Sequence, residues 1–269
     1  MMRGVSAHLD TLYAALPPMR RYAAAAADGF RCVEIWSPPP ASQTAAVIAT
    51  LARHDLALAT VNTRPGPHPD DFGLLGDPAQ VTRWREDFLH TMDFARAARS
   101  AAVNLLTGGR RRTAPRAAQL RCVLDNVAWA LDRRNRDDPL LLIEPLNGAD
   151  RRSPLFSAVT DVVAIIDALG APPGIRILFD AYHVFQEADD LNAALDQAGG
   201  LIGHVQIADY PGRGEPGSGD VPLAAFLDQL DLSGYSGWVG LEYLPSGRDD
   251  FGWLPEYGLS HDAAAAGTP

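Results

Sequence analysis

The chain has 269 residues, 47% of them hydrophobic and 21% charged, with a formal net charge of −10. That balance suits one large domain with a sizeable core, and the negative charge argues against a nucleic-acid partner, which needs a clustered basic face. No apolar run is long enough to span a bilayer and the N-terminus lacks a basic-then-apolar leader, so the expectation is a cytoplasmic protein without membrane contact.

GVSAHL (4–9) reads as a first short strand, and a helix is predicted over 14–27, stopping at Asp28-Gly29. FRCVEIW (30–36) is a second strand closed by Ser37 and three prolines; a helix over 41–53 and a third strand, LALATVN (56–62), follow. A Gly/Pro/Asp-rich loop (64–78) leads into an amphipathic helix over 79–99, then AAVNLLTGG (101–109) as strand four and a helix over 115–135. The last four strands lie in LLLIEPLN, IRILFDAYH, GHVQIADYPGR and GWVGLEYLP, with helices predicted over 157–169, 189–199 and 222–232. Eight β-then-α units in about 250 residues predict an α/β fold, a single (β/α)₈ TIM barrel over 1–258. A doubly wound sheet would want a Gly-rich phosphate loop early in the chain, and GDPAQ and GGRRR have the wrong spacing for one. Residues 259–269 are expected to be a frayed tail. Cys32 and Cys122 have no metal spacing and read as reduced, buried side chains.

The second half carries the chemistry. Its four strand-like runs are apolar up to an oxygen-bearing side chain and then break: Glu144, Asp180, Gln206 and Glu242, separated by 36, 26 and 36 residues. In a barrel, side chains at the C-terminal strand ends converge on one mouth. Four oxygen donors there would resist ionisation together, and a hard divalent cation relieves that conflict; three carboxylates and an amide favour Mg²⁺ or Mn²⁺ over Zn²⁺. Glu144 and Glu242, on opposite sides of such an ion, are placed to move a proton between neighbouring carbons. All 23 basic residues are arginine. With no lysine, Schiff-base chemistry, an internal pyridoxal aldimine and a P-loop are excluded.

Around this set stand further candidates, each with a plainer reading beside it. His183 in FDAYH contacts a substrate oxygen, binds a second metal or caps its loop. His204 shares an inward face with Gln206 but lies deeper, as a core histidine would. Arg213 and Glu215 on a Gly/Pro loop either grip an anionic substrate or pair with each other at the surface. Glu34, Trp36 and His8 end the first two strands and either line the pocket or stay structural. Arg110, in a solvated Arg-Arg-Arg run, is close enough to strand four to reach the mouth. The apolar loop residues Phe72, Leu74 and Leu75 would cover the pocket or serve a homo-oligomer.

The runs IEPLN, FDAYH, HVQIADYPGRGEP and GYSGWVGLEYLP, with Gly252-Trp253, resemble the hydroxypyruvate isomerase family of the xylose-isomerase-like barrels, most strongly from about 140 to 253. The resemblance implies a divalent metal on Glu144, Asp180, Gln206 and Glu242, with Glu144 and Glu242 as the acid/base pair and His183 and Arg213 near the substrate. It implies interconversion of a small α-hydroxy ketone and α-hydroxy aldehyde through an enediolate, as between hydroxypyruvate and tartronate semialdehyde, with an arginine on the substrate carboxylate. An epimerase or polyol-ketone dehydratase on the same scaffold, an abasic-site phosphodiesterase and a non-catalytic metabolite-binding barrel are the alternatives. Three places depart from the family pattern. PGPHPDDFGLLGDP replaces a Gly-Glu-Arg-Gly-like loop after strand three, Gly109-Arg110 replaces a lysine near Gly108, and strand one ends in His8 where asparagine is expected.

Overall fold

The computed structural model describes residues 3–68, 71–187, 190–247 and 251–261. In chain order the elements are β1 (Arg3–His8), α1 (Leu9–Leu12), α2 (Pro18–Ala27), β2 (Cys32–Ile35), α3 (Thr44–Arg53), β3 (Ala57–Asn62), α4 (Val81–Ala98), β4 (Ala102–Asn104) and α5 (Arg116–Leu131). Then come β5 (Leu140–Ile143), α6 (Val159–Ala168), β6 (Ile175–Asp180), α7 (Ala181–Glu187), α8 (Leu191–Ala198), β7 (Ile202–Ile207), α9 (Leu223–Leu232), β8 (Val239–Leu241) and β9 (Leu259–Ser260). Each of the first seven strands pairs in parallel with the next, and β8 pairs with β1, so the sheet closes into the (β/α)₈ barrel.

These strands are short, branched and apolar because both faces are covered: β5, β6 and β8 are almost entirely buried. Outside the barrel, α4 and α5 are joined by an aromatic cluster in which Trp84 stacks on Phe88 at 5.4 Å and Trp129 meets Phe88 edge-on at 5.8 Å. Inside it the lining turns polar toward the mouth, with Ser6, His8, Glu34, Asn104, His204 and Gln206 all buried.

Three differences from the sequence expectations have local causes. The helix expected over 14–27 is broken, because Pro17 and Pro18 lack the N–H that a continuous helix needs, and α2 restarts with Pro18 in its first turn. β6 passes straight into α7 with no loop, so Ala181 and His183 sit in the first turn of a helix directly after Asp180. Leu259–Ser260 is not frayed: it pairs with Arg3–Gly4, Leu259 is fully buried, and His261 packs edge-on against Phe30 at 4.5 Å. The remainder of the expected tail, 262–269, lies outside the described residues.

The loop after β3 is folded down rather than presented outward. Leu74 and Leu75 are buried, at 1% and 0% exposure, so they are core residues and not exposed tips for an oligomer. The fold-down depends on Gly73 and Gly108, whose backbones touch. A Cβ on Gly73 would lie 2.3 Å from Leu106 O and one on Gly108 2.1 Å from Gly73 O, and both glycines have positive φ.

Candidate active site

At the C-terminal mouth of the barrel a cavity of ≈ 260 Å³ is lined by Trp36, Phe72, Glu144, Arg151, His183, Arg213 and Glu242, among others. A larger cavity of ≈ 630 Å³ lies at the opposite end, among Arg99, Arg134, Arg136 and Trp238, and none of the strand-end carboxylates reaches it. The chemistry therefore belongs to the smaller one.

Glu144 follows β5 directly and Glu242 follows β8, and both are more than nine-tenths buried. Asp180 ends β6 and is fully buried beside Gln206, its register partner on β7. Donor atoms of Glu144, Asp180 and His183 all lie within 4.8 Å of one another. Glu144 Oε2 accepts from Asn104 Nδ2 at 2.8 Å, and Glu242 Oε1 accepts from Trp36 Nε1 at 2.8 Å. Burial, with the neighbouring Glu242 and Asp180 carboxylates, pushes Glu144 well above the usual carboxylate range. Burial likewise carries Asp180 up to about 6, with Arg213 pulling it partly back.

Arg213 sits in the middle of this cluster. Its Nη2 is 3.0 Å from both Asp180 Oδ2 and Glu242 Oε2, its Nε donates to the Glu242 carbonyl at 2.9 Å, and its Nη1 approaches His183 Nε2 at 3.2 Å. The backbone delivers it there from a left-handed turn, with φ of 91° at Gly212 and 56° at Arg213. Buried Asp209 sets that turn, accepting from the backbone N–H groups of Tyr210, Gly217 and Val221 at 2.8–2.9 Å. His183 is neutral: burial, then the positive charges of Arg213 and Arg151, hold it well below its ordinary value. Its Nδ1 is 2.6 Å from Asn147 Nδ2.

Beneath the mouth, Glu34 Oε2 accepts from Gln206 Nε2 at 2.7 Å while its Oε1 meets His204 Nε2 at 2.9 Å and Ser6 Oγ. Gln206 Oε1 is buried without a partner. That orphan oxygen and three buried carboxylates, two of them paired with the Arg213 guanidinium, together make an oxygen-rich donor set, short of positive charge. Such a set fits a hard divalent cation.

The other expected residues divide. His8 is buried, tilted against Trp36 at 5.4 Å between ring centres, with Nε2 3.7 Å from Glu242 Oε1. Trp36 remains 44% exposed and lines the cavity. Glu34 and His204 are structural partners below it. Glu215 is not in the pocket: its Oε1 accepts from Ser246 N at 2.6 Å and Ser246 Oγ at 2.9 Å, a clamp between two loops. Arg110 is exposed and absent from the lining, because its backbone N–H is tied to Ser153 O at 2.8 Å and its side chain faces solvent. Asn104, Asn147 and Arg151 were not among the sequence candidates. Asn104 carries the same signal as the others, a polar residue ending an apolar strand, whereas Arg151 and Asn147 lie on a loop without pattern.

Eight parallel strands delivering carboxylates to one mouth define the xylose isomerase-like class of TIM barrel, and the model of that family matches residues 22–261. A putative hydroxypyruvate isomerase of Streptomyces coelicolor is 37% identical, over 92% of this chain and 94% of its own length. A 2-oxo-tetronate isomerase of Cupriavidus necator is 31% identical, over 94% and 97%. Among solved structures, that of an AP endonuclease, family 2, from Brucella melitensis superimposes with a TM-score of 0.88 at 25% identity, over 96% of this chain and 99% of that one. The chain belongs to the hydroxypyruvate isomerase family and is an isomerase.

Proposed function

We propose that the enzyme interconverts a small α-hydroxy ketone and its α-hydroxy aldehyde, of the hydroxypyruvate/tartronate semialdehyde or a related 2-oxo acid type, with a divalent metal. The observation that carries this reading is the pair of buried carboxylates, Glu144 and Glu242, on one small cavity, with Asp180 close to both through Arg213 and His183. Glu144, Asp180, Gln206 and Glu242 would hold the ion, and Mg²⁺ or Mn²⁺ suits their oxygens. When bound, the ion stabilises negative charge developing on the substrate oxygens.

The remaining work falls to the chain. One of the two glutamates removes a proton from the hydroxyl-bearing carbon, giving an enediolate, and the other carboxyl returns a proton to the adjacent carbon. The hydroxyl proton shifts to the former carbonyl oxygen, so atoms balance without a redox partner. Because the reaction is reversible, each glutamate is base in one direction and acid in the other. Trp36 and Asn104 fix the two carboxylates, and neutral His183 offers a hydrogen bond to a substrate oxygen.

The test is solvent-deuterium exchange followed by proton NMR, with protein loaded with Mg²⁺ or Mn²⁺ and a panel of hydroxy-keto acids and sugars. Deuterium at the carbon next to a carbonyl is expected for one compound. Glu144→Gln and Glu242→Gln should each lower that rate by about 10²–10⁴-fold. Full activity in either variant would overturn the mechanism. A product lighter by water would point to a dehydratase, and binding without exchange to a metabolite-binding barrel. The endonuclease likeness favours a phosphodiesterase less well, since a net charge of −10 repels phosphate and the metal-capable group among the described residues holds a single histidine.

A further inference from the structure

We propose that Arg151 is the residue that selects a carboxylate-bearing substrate, its guanidinium forming the anion-binding end of the cavity. This rests on the isomerase reading for what the substrate does once bound, and two relatives of the chain are named for 2-oxo acids.

Two cations line the cavity, Arg151 and Arg213. Arg213 is committed: all three of its nitrogens face Asp180, Glu242 or His183, so it neutralises catalytic carboxylates and has no free edge for another. Asp71, also in the lining, is paired with Arg111 at 3.1 Å. Arg110 faces solvent, and the chain contains no lysine. Arg151 is also exposed, but unlike Arg110 it lines the cavity, and it makes no ion pair and no side-chain hydrogen bond among the described residues. Its guanidinium carbon lies 5.9 Å from the centre of the Phe72 ring, an apolar wall from the loop that departs from the family pattern.

The loop bearing Arg151 is tied to the catalytic groups. Arg151 N donates to Asn147 O at 3.2 Å, and the Asn147 side chain contacts the His183 ring. A substrate whose reacting carbons lie between Glu144 and Glu242 therefore has one uncompensated positive group in reach. A planar guanidinium fork with both edges free pairs with a carboxylate through two parallel hydrogen bonds.

The experiment measures binding and turnover separately. Titration calorimetry with Mn²⁺ present compares hydroxypyruvate with dihydroxyacetone, its neutral counterpart in which CH₂OH replaces the carboxylate. The wild type should prefer the acid. Arg151→Ala and Arg151→Gln should cut the acid-over-neutral affinity ratio by about 10–100-fold, the usual size of a lost charge-assisted pair, and Arg151→Lys by less. An unchanged ratio in both variants would overturn the assignment. Deuterium exchange on the same samples tests the underlying reading. If the ratio falls but neither compound exchanges, Arg151 stands as the anion site and the isomerase mechanism fails. If exchange proceeds with an unchanged ratio, the mechanism stands and the Arg151 assignment fails.

Discussion

Gln206 illustrates how a single amide is given a direction. A carboxylate only accepts, so Glu34 takes the Nε2–H of Gln206 and turns Oε1 away, into a buried position with no protein partner. Burial alone would raise the Glu34 carboxyl, but contacts with His204, His8 and Ser6 outweigh it and hold the group below its ordinary value. Glu34→Gln removes the directing charge and lets the amide invert. The variant should bind Mn²⁺ about 10–100-fold more weakly while keeping its circular dichroism, and the double exchange Glu34→Gln with Gln206→Glu should recover part of the loss, since donor and acceptor then simply trade places. Wild-type affinity in the single variant, read by titration calorimetry, would remove Glu34 from this role. The cysteines give a second residue-scale expectation. Burial pushes Cys32 well above the usual thiol range and, with Asp77 and Asp125 nearby, carries Cys122 to about 11. Neither should react with Ellman's reagent at pH 8 until the protein is unfolded, when two thiols appear.

At the scale of elements, the strands were legible and the loops were not. β5, β6, β7 and β8 announce themselves because a doubly covered parallel strand must be apolar until its last residues reach the mouth, where a polar side chain stands. The same reasoning explains why Glu144, Asp180, Gln206 and Glu242 all fall at the site. Loop residues obey no such period. Glu215 and Arg110 were placed by proximity in sequence alone; the Glu215 carboxylate is taken by Ser246 and the Arg110 backbone N–H by Ser153 O, which carries them elsewhere. Arg213 was expected near the substrate, and its salt bridges to Asp180 and Glu242 depend on a turn whose geometry is set by Asp209, a residue with no pattern to mark it. Asp209→Ala should thus act at two levels. Leaving three backbone N–H groups without their acceptor costs about 2–4 kcal/mol in urea unfolding, and the displaced Arg213 should lower the exchange rate beyond what stability explains. If activity were retained in the folded variant, the turn would not be what places Arg213.

At the scale of the whole molecule, the barrel closes around more negative charge than its own residues neutralise. Asp180 and Glu242 pair with the one guanidinium of Arg213, whose charge also acts on Glu144, in a chain already at −10. Asp180 has an ordinary value of 3.8 and stands at about 6 when folded. A carboxyl raised in this way favours the folded state at low pH, while it is protonated, and that contribution is lost as pH rises through the folded value. Without a divalent cation, Asp180 alone should therefore cost about 2 kcal/mol of stability between pH 4 and pH 7, and Asp180→Asn, which keeps the neutral shape, should not show this loss. The comparison is urea unfolding of both proteins in EDTA across that range; the difference cancels groups remote from the mouth and reads Asp180 together with the Glu144 and Glu242 carboxyls that its charge acts on. Adding Mn²⁺ at pH 6 should reverse the wild-type loss and release protons, because the ion binds the ionised carboxylates of the folded chain and displaces what they hold. Calorimetric titration in two buffers of different ionisation enthalpy counts those protons. A heat that is the same in both buffers would mean that the carboxylates are already ionised at pH 6, with Arg213 supplying the compensating charge before the ion arrives.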